Sequence, residues 1–292
     1  MKKFSEFIDK HLLIIFIVPA LVLSFLVMIY PMLYTGYLSL FRSLLIKGIQ
    51  FKFIGLENYI NLFNDRTFLT SLSNTFYFFI LSIILHVFIG TPLALLIGRK
   101  FKGENLFRGI FILPTVTTPV AAALIWGTMF NPTIGVFNYL LNLVGLPSSL
   151  WVCHPSTVIP SLVLVDSWAT IPLTTLIIMG GLQTIPQELI EAAKIDGASP
   201  FKVFRYIQLP FLRPVIIVAI IFQTIGIIRV FDPVWVITQG GPRYSSMTLN
   251  LLAFREAFIF THMGESAVIL MIIFLIIIVL CGILAKFRKV VS

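Results

Sequence analysis

Long apolar runs separated by short polar segments dominate the 292-residue chain. A helix needs about 20 largely apolar residues to cross the hydrocarbon layer of a membrane, and six runs reach that length. The predicted spans are residues 12–33, 74–97, 109–130, 157–178, 214–237 and 267–285. Backbone polar groups in lipid must be hydrogen-bonded internally, so these runs are predicted to be helices. The pattern predicts an all-α integral membrane fold with six transmembrane helices.

The composition supports a membrane assignment. Hydrophobic residues make up 58% of the chain, charged residues only 11%, and the mean hydropathy is +1.01. Because a water-soluble domain carries about 25% charged residues, lipid must surround much of this protein. We expect one transmembrane domain over residues 1–292, with a core at about 70–285 and an N-terminal span and outer loop at 11–69.

The N-terminus combines lysines with an apolar run, as a secretory signal peptide does. The run at 11–41 is too long for a signal peptide, and no small-residue cleavage site follows it. We therefore expect a retained first span.

The distribution of basic residues predicts the orientation. With the N-terminus inside, 14 of the 21 Lys and Arg residues lie on the inner side and six on the outer side, while Arg229 falls within the fifth predicted span. Cytoplasmic loops of membrane proteins are enriched in Lys and Arg, so both termini are expected in the cytoplasm. This bias accounts for the net charge of +9 without a nucleic-acid partner.

The longest inner segment, residues 180–213, carries local signals for two short helices. Thr184 and Gln187 have the spacing of a capping box, and Pro186 suits a first helical turn. Gly197 supplies a position that can adopt a left-handed conformation.

A second helix is predicted to start at Ser199 as N-cap and Pro200 as first residue, and to end at Pro210. The result is a helix-turn-helix against the inner membrane face. These signals alone also fit an amphipathic hairpin that only connects spans four and five.

The same segment resembles the EAA loop of ATP-binding cassette importer permeases. The matching positions are Glu191, Ala192, Ala193, Asp196, Gly197, Ala198, Phe204, Ile207 and Pro210. Nine residues separate Gly197 from Ile207, as in the family pattern. The resemblance implies a coupling helix that docks on an ATP-hydrolysing subunit. Small alanines would allow close approach, and the Glu191 carboxylate could pair with a basic residue of the partner.

Further segments resemble the carbohydrate-uptake permeases of this family, in particular the six-span first permease of a pair. They read FIGLENYINLF, FILPTVTTPVAAALIW, LVDSWATIPL and RVFDPVWVITQGGP. The resemblance implies a subunit that admits a mono-, di- or oligosaccharide through the bacterial plasma membrane, or alternatively a glycerol phosphate or related polyol. The segment with Thr261, His262 and Glu265 departs from the family pattern, which puts contacts of this outer region with a binding protein in doubt.

The resemblance also implies a set of partners. They are a second homologous permease, two ATPase subunits that bind ATP and Mg²⁺, an extracytoplasmic solute-binding protein, the sugar substrate and membrane lipid. No Gly-rich phosphate-binding motif GxxxxGK[ST] occurs in the chain, so we expect it to bind no cofactor and to be no enzyme.

Four residues within the predicted spans are candidates for the solute pathway: Asp166, Trp168, Arg229 and Asp232. Charges within a membrane usually face the protein interior or a watery cavity and are often paired. Asp166 and Arg229 are expected at similar depths, either as an ion pair that locks two helices or as contacts to solute. An aromatic face beside polar groups would suit a sugar.

Other chemistry is disfavoured. The four histidines lack metal-ligand spacing, so no metal site is expected, and Cys153 and Cys281 are expected to be inert. A secondary transporter would couple ions through intramembrane carboxylates, and Asp166 and Asp232 alone are weak support for it. A membrane-embedded enzyme has no motif in its favour.

Overall fold

The computed structural model describes residues 16–44, 50–99 and 102–291. Five helices in this part of the chain are long and apolar enough to span a membrane, or six if one sharply bent pair counts as a span. The helices and strands are α1 (Phe16–Leu38), β1 (Phe41–Leu44), β2 (Gln50–Phe53), α2 (Glu57–Asn64), α3 (Arg66–Ile97), α4 (Glu104–Val116), α5 (Pro119–Met129), α6 (Val136–Leu143), α7 (Val158–Leu182), α8 (Gln187–Ile195), α9 (Pro200–Ile228), α10 (Leu249–Phe254) and α11 (Met263–Val291).

The helical class is confirmed, with a small antiparallel hairpin of β1 and β2 added in the first outer loop. The start of the predicted first span, residues 12–15, lies outside the described residues. Short π-helical turns occur at Phe204–Gln208 within α9, at Val234–Thr238, and at Arg255–Ile259 after α10.

The predicted third span is not one straight helix. It divides into α4 and α5, whose axes differ by 92°. Thr118 has an extended backbone (ψ 129°), because Pro119 disfavours the helical conformation in the residue before it. Thr117 is extended as well, with ψ 138°. A hydropathy run cannot show this break, since the residues on both sides of it are apolar.

The predicted fifth span is displaced towards the N-terminus. Its helix, α9, begins at Pro200 and ends at Ile228, so Arg229 is the C-cap residue rather than a mid-span residue. Helical structure resumes at Asp232 and Pro233, which lead into the π-helical turn at Val234–Thr238. Pro210, expected to end the hairpin helix, lies inside α9.

The π-helical turn Phe204–Gln208 leads directly to that proline. Leu209 donates its N–H to the Phe204 carbonyl five residues earlier. A proline inside an α-helix removes one hydrogen bond and crowds the carbonyl four residues before it. The wider turn relieves this conflict, so the helix continues through Pro210.

The chain forms two compact units. The first comprises the described part of Met1–Asn64 together with Ala253–Ile272. Within it, Asn58 donates from Nδ2 to the carbonyls of Ser39 and Phe41 at 2.9 Å each. Gly264 lies so close to the Phe41 carbonyl oxygen that an added Cβ would be 2.1 Å from it.

The second unit comprises Asp65–Leu252 and Ile273–Ser292, and it contains both candidate sites. Helices α3 and α7 form its most extensive contact, and α9 packs on both of them. Ala94, Ile178 and Leu212, one from each helix, are fully buried at a common point. This three-helix core fixes the positions of α7 and α9, which carry Asp166 and Arg229.

Candidate functional site

The hairpin between α7 and the membrane-spanning part of α9, residues 183–208, begins with α8 and a left-handed turn. Gly197 has φ +76°. Its N–H donates to the Lys194 carbonyl at 3.1 Å, while the Ala198 N–H donates to the Ala193 carbonyl at 2.9 Å. These two bonds define a Schellman motif, which satisfies carbonyls at a helix C-terminus. The predicted role of Gly197 in the turn is confirmed.

The start of the second hairpin helix is also as predicted. Ser199 is the N-cap, its side chain accepts from the Lys202 N–H at 3.4 Å, and Pro200 is the first helical residue.

The predicted capping box at the start of α8 is wrong. Thr184 donates its hydroxyl to the Gly181 carbonyl at 2.8 Å, and Pro186 is the N-cap. Thr184 is close enough to the end of α7 to satisfy a carbonyl there, which leaves Gln187 without a capping partner.

The exposed face of the hairpin is suited to protein contact. Glu191, Ala192 and Asp196 are exposed, whereas Ala193 and Ala198 are half-buried. Among the described residues, the Glu191 carboxylate has no salt-bridge or hydrogen-bond partner. The hairpin therefore presents an unpaired carboxylate beside small side chains on a fixed backbone.

A cavity of about 280 Å³, mostly apolar but with several polar and charged side chains in its wall, lies where the α4–α5 break, the middle of α7 and the end of α9 meet. Among its lining residues are Thr115, Asp166, Thr170, Arg229, Phe231 and Asp232. Its volume is close to the lower limit of the about 300–1,000 Å³ of small-molecule sites. Non-helical backbone at membrane depth is tolerated where it lines such a cavity, and transporter sites commonly form at broken helices.

Asp166 is largely buried, with 15% of its side chain exposed. Its Oδ2 atom lies 3.9 Å from His86 Nε2 and accepts no hydrogen bond among the described residues. Thr170 donates its hydroxyl to the Asp166 carbonyl at 2.7 Å and lies 2.9 Å from the same His86 nitrogen. Neither Thr170 nor His86 donates to the Asp166 carboxylate at hydrogen-bond distance, so Oδ2 has no internal donor among the described residues.

The expected ion pair between Asp166 and Arg229 is not formed in this structure. Arg229 lines the same cavity but is exposed, and its guanidinium makes no salt bridge within the described residues. Asp232, half-buried, also lacks a side-chain partner there. Two carboxylates and one guanidinium thus surround a small cavity with hydrogen-bonding capacity unused.

The aromatic surface of the cavity comes from Phe231 rather than from Trp168. Trp168 is absent from the cavity wall and packs edge-on against Trp126, with ring centroids 6.0 Å apart. Sequence reasoning missed Phe231 and Thr115. Phe231 stands between the two charged candidates in the chain, which was the available signal. Thr115 lies in the last turn of α4, next to the helix break.

Interhelical hydrogen bonds hold the cavity walls. Gln223 of α9 donates to Thr174 Oγ1 of α7 at 2.8 Å, and Thr115 of α4 donates to the Ala169 carbonyl at 2.9 Å. Asn250 caps the end of α9 by donating to the Arg229 carbonyl at 2.8 Å. The positions of Asp166 and Arg229 are therefore set by paired backbone and side-chain groups.

Comparison with known proteins gives consistent matches. Residues 87–287 match the family described as the inner membrane component of binding-protein-dependent transport systems. A trehalose/maltose transport system permease of Thermococcus litoralis is 38% identical over 239 residues, which is 82% of this chain and 80% of that protein. A lactose transport system permease of Rhizobium radiobacter is 32% identical over 251 residues, covering 84% and 83%.

Among solved structures, the fold is similar to a chain of a bacterial alginate ABC transporter crystallised in complex with an alginate pentasaccharide-bound periplasmic protein. The TM-score is 0.83 at 19% identity, and 98% of each chain is covered. At 19% identity, this similarity supports the fold alone.

Proposed function

The chain belongs to the family of inner membrane components of binding-protein-dependent transport systems, and we propose that it forms part of the route by which a sugar enters the cell. Members of this family are the membrane subunits of ATP-binding cassette importers, which work with a solute-binding protein. ATP is therefore hydrolysed by separate subunits. Relatives that match more than four fifths of the chain are named for trehalose/maltose and lactose, which supports a sugar.

The cavity carries this proposal. A sugar presents hydroxyl groups that donate and accept hydrogen bonds and an apolar ring face. Asp166 and Asp232 would accept from hydroxyls, Arg229 would donate, and the Phe231 ring would contact the sugar face. Because no internal partner satisfies the Asp166 Oδ2 atom, a hydroxyl placed there would gain a charge-assisted bond.

A second candidate solute is a glycerol phosphate or related polyol. Arg229 favours it, because a guanidinium without an internal partner beside a cavity is suited to bidentate contact with a phosphate. The two carboxylates in the same wall oppose a dianionic solute by charge repulsion, so a neutral sugar fits the lining better.

The hairpin of residues 183–208 is proposed to be a coupling hairpin that docks on an ATPase subunit. Closing of an ATPase dimer would then move α8 and α9 as rigid elements. We propose the assembly of this chain, a second similar permease, two ATPase copies that bind ATP and Mg²⁺, and an external solute-binding protein. Both termini would lie in the cytoplasm, with the hairpin.

Reconstitution tests this assembly. Proteoliposomes that contain the chain, the second permease, the ATPase and the binding protein should accumulate labelled trehalose, maltose or lactose only with ATP inside. Vesicles with the chain alone should accumulate none. Uptake by the chain alone, driven by an ion gradient without ATP, would instead establish a secondary transporter.

A further inference from the structure

A three-residue cluster lies in the turn between α10 and α11 and shares no residue with the proposed solute cavity. Here His262 Nδ1 is 3.0 Å from Glu256 Oε2 and 3.7 Å from Glu265 Oε2, and the three ligand atoms all lie within 4.8 Å of one another. We propose that Glu256, His262 and Glu265 form a binding site for a divalent transition-metal ion, and that Zn²⁺ fits it best.

The backbone holds two of these side chains in place. The His262 N–H donates to the Glu256 carbonyl at 2.7 Å, which closes the turn. Thr261 adopts φ +62°, a conformation that a β-branched residue rarely takes and that the surrounding fold must impose. The cluster is therefore part of a constrained turn.

The third side chain is fixed by the last helix. Ser266 donates its N–H to the His262 carbonyl at 3.0 Å, so the first turn of α11 starts at His262. Glu265 follows three residues after His262 and therefore lies on the same helical face. This explains why residues that the sequence shows as scattered come together.

The ligand chemistry favours zinc. Zn²⁺ takes imidazole nitrogen and carboxylate oxygen at about 2.0–2.2 Å, so tetrahedral ligands lie about 3.3–3.6 Å apart. Separations of 3.0 and 3.7 Å bracket that range. The two carboxylates also balance the double positive charge of the ion, and a neutral imidazole adds no further charge.

An open coordination position follows from exposure. The Glu265 side chain is 50% exposed and that of His262 39%, so water or a partner's side chain can reach the ion. The sequence-based expectation of no metal site considered only the spacing of histidines. It overlooked a ligand set with one histidine and two carboxylates.

Zinc binding by the purified full chain tests the proposal. The protein should carry a tag without histidines and a Cys153→Ser change, because Cys153 is exposed. We expect equilibrium dialysis against micromolar ZnCl₂ to load one Zn²⁺ per chain. His262→Ala and Glu265→Gln should each weaken binding more than tenfold, since outer-shell partners alone contribute about 10–100-fold.

His154→Ala is the matched control, because His154 is exposed and lies outside the cluster. Its zinc binding should be unchanged. Glu265→Gln keeps the side-chain shape, so it still tests the site if His262→Ala fails to fold. No zinc uptake by the parent protein, or equal affinity in all variants, would overturn the site and leave a His262–carboxylate contact only. Neither outcome bears on sugar transport.

Discussion

Gly181 of α7 lies against Val215 of α9 so closely that a Cβ at position 181 would be 2.8 Å from both Val215 methyl carbons. The adjacent Gly180 would place its Cβ in open space. Small residues at helix contacts in membranes let backbones approach closely. Gly181 thus sets the α7–α9 separation, and with it the distance between the helices that carry Asp166 and Arg229.

Gly181→Ala should therefore destabilise the protein, while Gly180→Ala should not. Overpacking of a fitted contact costs about 1–3 kcal/mol, whereas alanine in open helical surface is tolerated. The apparent melting temperature of the detergent-solubilised protein, followed by size-exclusion chromatography, measures the difference. Equal stability of the two variants would show that the α7–α9 contact has room for a methyl group at position 181.

Orientation can be checked by thiol labelling in a protein without native cysteines. Ser199→Cys in the hairpin should react with a membrane-impermeant reagent only in inverted vesicles. Ser148→Cys, exposed in the loop before α7, should react from outside in intact cells or spheroplasts. Both native cysteines must be replaced first, because Cys153 is exposed. The reverse labelling pattern would refute the proposed cytoplasmic hairpin.

The left-handed turn at Gly197 permits a graded test of coupling. Gly197→Val places a β-branched residue at φ +76°, which is sterically unfavourable, whereas asparagine tolerates that region. We expect Gly197→Val to abolish uptake and stimulation of the ATPase, and Gly197→Asn to retain much of both. Membrane insertion should be normal in each. Full transport by the valine variant would show that the turn is only a connector.

Charge reversal at two positions of α8 distinguishes an effect on ATPase docking from an effect on the stability of the helix. Glu191→Lys should weaken ATPase docking by about 10–100-fold, the equivalent of a charge-assisted hydrogen bond of about 1.5–3 kcal/mol. Glu188→Lys is the control. Glu188 lies in the first turn of α8, so a lysine there opposes the helix dipole more strongly than a lysine at position 191. Co-purification of the ATPase is the measurement. A larger loss for Glu188→Lys would attribute the effect to helix stability.

Local signals predicted the turn of the hairpin correctly, although the capping box at Thr184 and the helix end at Pro210 were wrong. Gly197 and Ser199 act through neighbours in the chain, so their conformations follow from residue type. The π-helical turn before Pro210 depends on the packing of a long helix and carried no signal of its own. Hydropathy located the third span, but the conformational effect of Pro119 on its preceding residue divided it.

The cavity shows a different limit of prediction from the sequence. Asp166 and Arg229 were identified because charges are rare in apolar runs, and both do line it. Their separation could not be read from depth along each helix, since it depends on the end of α9 and on the α7–α9 contact. Likewise Trp168 is a plausible aromatic contact in the sequence, yet packing against Trp126 occupies its ring.

A change at Asp166 distinguishes contact with the solute from a structural ion pair. Because its Oδ2 atom has no internal hydrogen-bond donor among the described residues, Asp166→Asn should leave assembly and basal ATPase activity intact. It should weaken sugar uptake by about 10–100-fold, since a hydrogen bond to a charged group contributes about 1.5–3 kcal/mol. Phe231→Ala should also reduce uptake, whereas Trp168→Phe, outside the cavity wall, should not. Labelled sugar uptake and complex yield are measured together. If Asp166→Asn instead destroyed the complex and a second change, Arg229→Gln, restored it, the two residues would form the ion pair that this structure lacks, and the solute-contact proposal would fail.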